Sequence, residues 1–430
     1  MLNKESKQVR ILVLIGAAAL GGHVISTLTI TKALQSKKHD VILGCGNGIL
    51  SEKIKGCGIK CINIPFFLSY FKQDYAYFSF LSWITIKNVL FIVKRERIDI
   101  IHAFDMPASI IANFVMAITG IPVVTTICGG PGPVYPLPRF QKLIAFSEEY
   151  KDVMINKFGW RKENIVVIRN RIDFKENMIE KQEEVYKLGL VKEHKKIILV
   201  SRFSGEKVKA VEYVLEAVEG ILTIMPDLDL ILIGYGACYE KIRTYAEQIN
   251  EKIGRNGVIL TGPVINANLY LRYGDIIIGV GRSAFEGMFW EKPTVIVGEN
   301  GFAGVIEENT VEELGHYNFS GRNIKIPVSP VELQKALFKI LEDKEYALRI
   351  GRFGREYLEQ EFDVLQGVEK IENVYADTLD KDAVDFKIRL KTFIFLIWNV
   401  SRFLFDCIVT ENPISCYFEK ISTCVKQKKM

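Results

Sequence analysis

The chain has 430 residues, of which 49% are apolar and 25% charged, and a formal net charge of +5. This length allows two or more domains with separate cores, and the composition is ordinary for a globular protein. The excess of cations is too small to indicate nucleic-acid binding. The eight cysteines form no CxxC pair, which favours reduced thiols in a cytosolic protein over a disulfide framework or a zinc site.

The apolar run at residues 11–20 could be mistaken for a signal peptide. It is short, and it continues into the turn Gly21-Gly22 and an amphipathic helix pattern, as the first strand of a sheet does. We therefore expect a cytoplasmic protein without a leader. No uncharged apolar run is long enough for a membrane-spanning helix, since the longest, 392–401, is closed by Lys391 and Arg402.

Short apolar strands alternate with helix patterns through the first half. The pattern predicts strands at 10–15, 40–44, 61–65, 98–102, 122–126, 143–146 and 165–168, and helices at 24–35 and 107–118. Consecutive buried-type strands separated by helices are typical of a parallel, doubly wound sheet.

The second half repeats this alternation after the polar stretch 175–194, which is the expected domain boundary. It predicts strands at 196–200, 229–233, 257–260, 276–280 and 294–297, and helices at 211–224, 239–253 and 286–290. We therefore predict an α/β fold with two Rossmann-like domains, 1–180 and 190–355, facing across a cleft. Ligands of such folds bind at the carboxyl ends of the strands.

Two cations follow the first strand of the second half. Arg202 and Lys207 are five positions apart in one loop, so both can converge on a single anion. A pyrophosphate that leaves with increasing negative charge requires such cations. The alternative is a solvated basic loop.

Glu286 is a carboxylate at the start of a short helix pattern, directly after the apolar strand 276–280. Carboxylates at this place in open α/β sheets often contact a ligand. The neighbouring Arg282 is a candidate for contact with phosphates or sugar. A purely structural Glu286 is the alternative.

Several glycines lie at turns beside these residues. Gly234 and Gly236 follow the strand 229–233, where they permit either close approach of a ligand or a plain turn. Gly301 belongs to the Gly-rich stretch 298–305, whose backbone N–H groups are expected to cradle phosphate as the loop enters a helix. Tyr273-Gly-Asp275 is expected to be structural.

In this order, the motifs resemble those of family 4 glycosyltransferases over about residues 9–375. The resemblance rests on the Gly21-Gly22 loop, the strand with His102, the Asn170 segment, the Arg202/Lys207 loop and the Glu286 helix. It implies the GT-B architecture, with the first domain on the acceptor side and the second on the nucleotide-sugar side. It also implies that a helix at 356–379 crosses back to the first domain, which leaves 380–430 as a tail.

The resemblance implies roles for individual residues. Gly21 and Gly22 would face the donor phosphate, Arg202 and Lys207 the diphosphate, and Glu286 the ribose, in the place of the second family glutamate. His102 matches a segment in which a histidine contacts the sugar, although a role in core packing stays open.

Two positions depart from the family pattern. Ile278 lies where the first family glutamate is expected, so the sugar contacts are open. Cys128 stands where a loop histidine is usual, which weakens the case for a catalytic histidine there.

The resemblance therefore implies a retaining glycosyltransferase that moves a sugar from a nucleotide-sugar to a glycan or lipid-linked acceptor, in cell-surface polysaccharide or glycoconjugate synthesis. No metal or other cofactor is expected, because Arg202 and Lys207 would neutralise the diphosphate. The alternatives are a sugar-nucleotide epimerase of the same architecture and a non-catalytic binding or assembly protein. The sequence leaves the donor, the acceptor, the linkage and the oligomeric state open.

Aromatic and basic residues interleave in two segments, 66–97 and 387–403. This mixture suits an anionic membrane surface or a lipid-linked acceptor. We therefore expect peripheral association with the inner face of the plasma membrane. Core-packing helices with solvated charges are the alternative.

Overall fold

A computed structural model describes the protein at residues 8–16, 18, 21–48, 51, 54, 56, 58–66, 68–71, 75–78, 82–129, 137–139, 141–169, 171–175, 193–205, 207–264, 267–380 and 384–409. For residues 68–71, 75–78, 400 and 402–409 the description is limited to the backbone. The chain forms two compact units. The first comprises Met1–Phe146, Tyr150–Arg171 and Val364–Met430, and the second comprises Ser147–Glu149 and Ile172–Asp363.

The first unit is built on a seven-stranded sheet in which all neighbouring strands are parallel. Its order is β3-β2-β1-β6-β7-β8-β9, and a separate antiparallel hairpin pairs β4 with β5. The strands are β1 (Arg10–Ile15), β2 (Asp40–Cys45), β3 (Lys60–Asn63), β4 (Leu68–Phe71), β5 (Tyr75–Phe78), β6 (Ile100–Ala103), β7 (Val123–Ile127), β8 (Lys142–Ala145) and β9 (Ile165–Val167).

Helices pack on this sheet and explain why its central strands are mostly apolar and buried on both faces. They are α1 (Gly22–Ser36), α2 (Ser82–Arg95), α3 (Met106–Thr119) and α4 (Glu148–Asn156), together with two C-terminal helices described below. Ile11 and Leu12 point to opposite faces of β1 and are both fully buried, as expected for a strand covered on both sides. Helix α3 begins where the carboxylate of Asp105 accepts from the Ala108 N–H, and it ends at Gly120 in the left-handed region.

The second unit contains a six-stranded sheet in the order β12-β11-β10-β13-β14-β15. Its strands are β10 (Lys195–Val200), β11 (Leu228–Ile233), β12 (Val258–Gly262), β13 (Ile276–Gly279), β14 (Thr294–Gly298) and β15 (Gly301–Val305). Its helices are α5 (Lys207–Ile224), α6 (Tyr239–Ile253), α7 (Ala267–Tyr270), α8 (Arg282–Phe289), α9 (Val311–His316), α10 (Pro330–Glu342) and α11 (Lys344–Phe362). All pairs are parallel except β14 with β15.

Two C-terminal helices belong to the first unit, α12 (Val364–Leu379) and α13 (Phe386–Val409). Helix α12 lies against α1, where His39 Nε2 is 2.9 Å from a carboxylate oxygen of Glu372. Its Tyr375 is buried in the core of that unit. The change from the second unit back to the first falls between Asp363 and Val364.

The structure confirms most of the predicted elements, with three corrections. The helix predicted at 356–379 is interrupted at Asp363, so that it consists of the end of α11 and the whole of α12. The helix predicted from Glu286 begins one turn earlier, at Arg282, so that Glu286 lies inside it. The stretch 298–305 does not lead into a helix, because it is the tight turn and second strand of an antiparallel hairpin. In the part of the chain that the structure describes, no helix has the length and hydropathy needed to cross a membrane.

Four cysteines have side chains that the structure describes, and the reduced state predicted for them stays a prediction. They are Cys45, Cys61, Cys128 and Cys238, and none of the four is joined to another by a disulfide. The sulfur atoms of Cys45 and Cys61, on the neighbouring strands β2 and β3, lie 3.7 Å apart.

Candidate active site

The strand order of the second unit reverses beside its first strand. Strand β10 has β11 on one side and β13 on the other, and the sheet continues outward from each of them. In open α/β sheets, ligands bind outside the carboxyl ends of the strands at such a reversal. The loops after β10 and β13 meet at this point, and they carry Arg202, Lys207, Arg282 and Glu286. We call this place the donor switch point, because the sequence predicts that a nucleotide-sugar donor binds there.

Arg202 and Lys207 follow β10 at the donor switch point, and Lys207 is the first residue of helix α5. Among the described residues, neither side chain has a carboxylate partner. The pKa of Lys207 is lowered, first by loss of solvation and then by the positive charge of Arg202, although the residue keeps exposed surface. Two cations are thus held close together beside the N–H groups of a helix start, which is an arrangement that an anion stabilises.

The Gly234-Tyr-Gly236 turn supports the Arg202 loop from the neighbouring strand β11. A Cβ atom at Gly234 would lie 1.9 Å from the Ser201 carbonyl oxygen, and one at Gly236 would lie 2.4 Å from that of Phe203. Both glycines are therefore required for contact between two loops. Their role as donor-binding residues stays a prediction, but their structural role is to position the loop that carries Arg202.

Phe203 anchors this loop and was not identified from the sequence as important. Its side chain is fully buried, and its N–H donates to the Tyr235 carbonyl at 3.1 Å. Its own carbonyl accepts from the Cys238 N–H at 2.9 Å. The sequence feature that could have indicated its role is a large apolar residue between the polar residues Arg202 and Ser204 of a loop.

Arg282 and Glu286 follow β13 on the other side of the donor switch point. They form an i,i+4 ion pair with 2.9 Å between Arg282 Nε and Glu286 Oε1, and each side chain is 14% exposed. Gly281, which precedes the helix, has a φ of 54°, in the region that favours glycine. Arg282 therefore holds Glu286 at the strand end where a nucleotide is expected.

Gly301 has a different role from the phosphate cradle predicted for it. It is the first residue of β15, opposite Gly298, with a φ of 104°. A Cβ atom there would lie 2.6 Å from the ring of Tyr213. The glycine thus serves hairpin geometry and packing on α5, and it does not lie at a helix N-terminus.

An open pocket of about 480 Å³ lies on the second unit, lined by residues such as Tyr213, Tyr245 and Asn300. Its two cations already have partners. Lys209 is 2.5 Å from Glu299, and Lys241 pairs with Glu212. This pocket therefore lacks the unneutralised positive charge of the donor switch point, and we give it no role in donor binding.

The first unit has its own strand reversal, where β1 lies between β2 and β6. Gly21 and Gly22 follow β1: Gly21 is the N-cap of α1 with extended backbone, and Gly22 is the first helical residue. The N-cap and the first helical residue thus carry no side chain, and the ring of His23 comes next, 3.1 Å from where a Cβ atom of residue 21 would lie. Contact of these two glycines with a donor phosphate stays a prediction.

Asp105 connects the two loops at this second reversal. Its carboxylate accepts from the Gly16 N–H at 2.7 Å and from the Ala108 N–H at 2.8 Å. Burial raises its pKa to about 6, against the lowering effect of those two bonds. The sequence feature that could have identified Asp105 is its position two residues before Pro107, because an Asp followed by Pro is common at the start of a helix.

His102 lies inside strand β6 with no exposed surface. Its Nδ1 is 2.6 Å from the hydroxyl of Tyr375, and its Nε2 is 2.6 Å from that of Thr126. Burial lowers its pKa to about 3, so the ring is neutral. This geometry favours core packing over the catalytic contact that the sequence suggested, because both ring nitrogens are already bonded and enclosed.

Cys128 follows strand β7, at the position where the resemblance to family 4 glycosyltransferases implies a histidine. Burial raises the pKa of its thiol to about 12, so the sulfur stays protonated and uncharged near neutral pH. A thiol in this state is a poor base or nucleophile. Within the described ranges, no three His, Cys, Asp or Glu side chains are grouped so that they could hold a metal ion.

Two family models match the chain and together extend from residue 20 to residue 343. Residues 20–176 match the model of Glycosyltransferase Family 4, and residues 194–343 match that of Glycosyl transferases group 1. Among curated proteins, none matches the sequence significantly.

Solved structures share the fold at low sequence identity. A glycosyltransferase from Rickettsia africae aligns with a TM-score of 0.66 and 17% identity over 87% of this chain and 100% of its own. Anabaena Alr3699/HepE in complex with UDP and glucose aligns with a TM-score of 0.65 and 18% identity, over 86% of this chain and 100% of its own. A putative UDP-N-acetylglucosamine 2-epimerase from Listeria monocytogenes aligns with a TM-score of 0.56 and 14% identity, over 88% of this chain and 98% of its own.

The two doubly wound units and the matched transferase models define the class of this protein. It is a glycosyltransferase of the GT-B type. The two models in series give it the family 4 type of architecture, with the Glycosyltransferase Family 4 domain first and the Glycosyl transferases group 1 domain second.

Proposed function

We propose that this glycosyltransferase binds a nucleotide-sugar at the donor switch point and transfers the sugar to a glycan or lipid-linked acceptor. The observation that carries the proposal is the pair Arg202 and Lys207. These cations lie close enough for one to lower the pKa of the other, and no described carboxylate neutralises them. A diphosphate supplies the missing negative charge.

The two cations are proposed to act at the step in which negative charge develops on the leaving diphosphate. As the glycosidic bond to the donor breaks, negative charge accumulates on the leaving diphosphate, and positive groups already in place stabilise that charge. The lowered pKa of Lys207 rises again once an anion is bound, because the anion favours the charged ammonium. The site thus binds the diphosphate more strongly as the reaction proceeds.

Glu286 is proposed to accept hydrogen bonds from the ribose hydroxyls, with Arg282 fixing its orientation. The ion pair leaves one carboxylate oxygen of Glu286 outside the 2.9 Å contact. Arg282 lies in the region left by the absent first family glutamate and is proposed to contact the sugar or a phosphate. UDP is the nucleotide to test first, because the Anabaena structure contains it.

We propose that transfer retains the anomeric configuration, as the family resemblance implies, with a diphosphate oxygen helping to take the acceptor proton. No metal is required in this scheme, since Arg202 and Lys207 supply the positive charge. EDTA is therefore expected to leave activity intact, and NMR of the product anomer tests retention. Activity that is lost in EDTA and restored by Mg²⁺ or Mn²⁺ contradicts the metal-free scheme.

We place the reaction in cell-surface polysaccharide or glycoconjugate synthesis, at the cytoplasmic face of a membrane where lipid-linked acceptors reside. This setting is supported by the aromatic and basic character of residues 66–97 and 387–403. In the first of these, Phe91 is exposed and lies under the guanidinium of Arg95 at 5.2 Å. Trp83 instead packs against Phe114, so part of the segment belongs to the core.

The deciding experiment is a panel of UDP-, GDP- and ADP-sugars measured by calorimetry and by turnover, with and without acceptor. A glycosyltransferase binds one donor tightly and releases the nucleoside diphosphate faster when an acceptor is present. Interconversion of the sugar-nucleotide without release identifies an epimerase. Binding without any turnover identifies a non-catalytic protein, and binding of no nucleotide-sugar refutes the proposal.

A further inference from the structure

Helix α13, at the end of the described chain, presents an apolar face to solvent. The residues on this face recur at i, i+4, i+8 and i+12, which places them on one side of a helix. The exposed members are Phe386 (69%), Leu390 (46%), Phe393 (38%), Ile394 (58%) and Trp398 (67%). We call these five residues the outer face of α13. Their number on one helix is unusual, because exposed large side chains are normally scattered singly.

The opposite side of the helix fixes it to the first unit. Leu396 is buried in the core cluster that contains residues of α3. The Arg389 guanidinium donates to the carbonyls of Ala117 and Ile118 at the end of α3, with 3.1 Å from Nε to the Ala117 oxygen. The outer face is thus held outward by packing and hydrogen bonds on the inner side.

Positive charges flank the outer face along the helix, and the exposed carboxylate of Asp385 lies just before its first residue, where it accepts from the Lys387 N–H. Lys387 and Lys391 lie along its edge and are exposed. The sequence contains no Asp or Glu between Phe386 and Arg402. A surface that combines apolar side chains with flanking cations is complementary to the headgroup region of an anionic bilayer.

We propose that the outer face of α13 docks the enzyme onto a membrane surface that contains anionic lipid. The ring of Trp398 and the side chains of Phe386, Leu390 and Ile394 enter the interface, while Lys387 and Lys391 meet lipid phosphates. The helix lies in the plane of the membrane and does not cross it. This surface would bring the enzyme to its lipid-linked acceptor, and in that respect the inference rests on the proposed function.

The charge pattern disfavours a second copy of the chain as the occupant. Two copies that met through this face would bring Lys387 and Lys391 of each copy together, and no acidic residue between Phe386 and Arg402 could pair with them, so that like charges would repel in the contact. An anionic bilayer supplies both an apolar layer and negative charge. A dimer is therefore treated as the competing outcome of the test.

The test measures binding of the full-length protein to vesicles of phosphatidylcholine with and without phosphatidylglycerol. We expect binding to the anionic vesicles at low salt and release at high salt. Lys387→Gln with Lys391→Gln should weaken binding about 25-fold, since each lysine near an anionic surface contributes about a fivefold effect. Phe386→Ser with Trp398→Ser should weaken it at least about tenfold through lost apolar burial.

Matched controls lie on the second unit. Ile326→Ser with Leu348→Ser removes side chains that are 77% and 51% exposed, and Lys335→Gln with Lys344→Gln removes two exposed lysines. Neither control should change binding. Equal losses in the control and α13 variants would overturn the inference, as would wild-type protein that ignores anionic vesicles at low salt.

Two further measurements separate this inference from its alternatives. Light scattering that shows a dimer, dissociated by the Phe386→Ser and Trp398→Ser variant, assigns the outer face to a second copy and overturns membrane docking. Calorimetry with the nucleotide-sugar should give the same affinity for both α13 variants and the wild type. Failure of all nucleotide-sugar binding would refute the proposed function, while vesicle binding would still decide the role of α13.

Discussion

Both sheets reverse their strand order beside their first strand, but they differ in the side chains that lie at the reversal. At the reversal of the second unit, Arg202 and Lys207 are brought together without a described carboxylate partner. At that of the first unit, the charged group is Asp105, which is half-buried and accepts from two backbone N–H groups. One reversal therefore keeps its charge available to a ligand, and the other uses its charge to join two loops.

The comparison shows that topology selects the location of a site but does not assign its chemistry. Both reversals have glycines and a helix start, as the fold requires. Only the second unit adds positive side chains at both neighbouring strand ends, Arg202 after β10 and Arg282 after β13. If this difference in charge matters, substitutions at the reversal of the second unit should reduce catalysis, and substitutions at that of the first unit should change stability.

The largest effect is expected from the unneutralised cations. Arg202→Ala and Lys207→Ala should each reduce kcat/KM by about 30- to 1,000-fold, which corresponds to about 2–4 kcal/mol of lost charge stabilisation. Steady-state kinetics with the donor found by the sugar-nucleotide panel measures this. Lys209→Ala is the control, because Lys209 lies two positions away and is paired with Glu299. Near-wild-type rates in both variants would remove the loop from the active site.

The second prediction separates contact with the donor from pairing with Arg282. Glu286→Gln should weaken donor binding by about 1.5–3 kcal/mol, the range for a hydrogen bond to a charged group. Calorimetry on Glu286→Gln, Arg282→Gln and the double variant gives the coupling between the two residues. If Glu286 is structural, both single variants will lower the melting temperature alike and leave the donor affinity unchanged.

The third prediction concerns the support of the Arg202 loop. Gly236→Ala should destabilise the protein by about 1–3 kcal/mol, because its Cβ would overlap the Phe203 carbonyl and force the backbone to move. Turnover should fall as well, since Arg202 is adjacent to Phe203. Urea unfolding and kinetics on the same sample measure both effects.

Gly220→Ala is the matched control for this substitution. Gly220 lies inside helix α5, and its Cβ would meet the flexible end of the Gln334 side chain. This change should be neutral or stabilising by about 0.5–1 kcal/mol, the usual gain from replacing a helical glycine with alanine. A Gly236→Ala protein with unchanged stability and turnover would show that the two loops do not constrain each other.

The fourth prediction uses the pH dependence of the first unit. The pKa of His102 is lowered to about 3, so below about pH 6.5 the unfolded chain binds a proton that the folded chain does not, and stability falls as pH falls. The pKa of Asp105 is raised to about 6. Between about pH 4 and 6 its folded carboxyl keeps a proton that the unfolded chain releases, so its contribution to stability falls as pH rises.

The contributions of His102 and Asp105 to the pH dependence of stability oppose each other between about pH 4 and 6. Replacing one residue therefore makes the contribution of the other measurable. Relative to wild type, His102→Gln and Asp105→Asn should change the slope of unfolding free energy against pH by about 1.4 kcal/mol per unit, in opposite directions. Urea unfolding across this pH range measures the slopes. Changes of the same sign in the two variants would contradict the assigned protonation states, and loss of turnover in His102→Gln without loss of stability would restore a catalytic role.

The sequence by itself determined the fold class and the place proposed for the donor site. Runs such as Ile276–Gly279 are apolar at every position because parallel strands are covered on both faces, and this pattern is readable without tertiary information. The positions of Arg202 and Lys207 after such a run were equally readable, since a side chain that follows a parallel strand lies at the ligand edge.

Only the tertiary structure decided the roles that depend on distant partners. His102 is a core residue because Tyr375, 273 positions away, bonds its ring. Gly236 serves packing because Phe203 approaches it from another strand end, and Gly301 begins a strand because it pairs across a hairpin with Gly298. Local pattern specifies which face of an element is buried, but the identity of the neighbour on that face depends on how the whole chain packs.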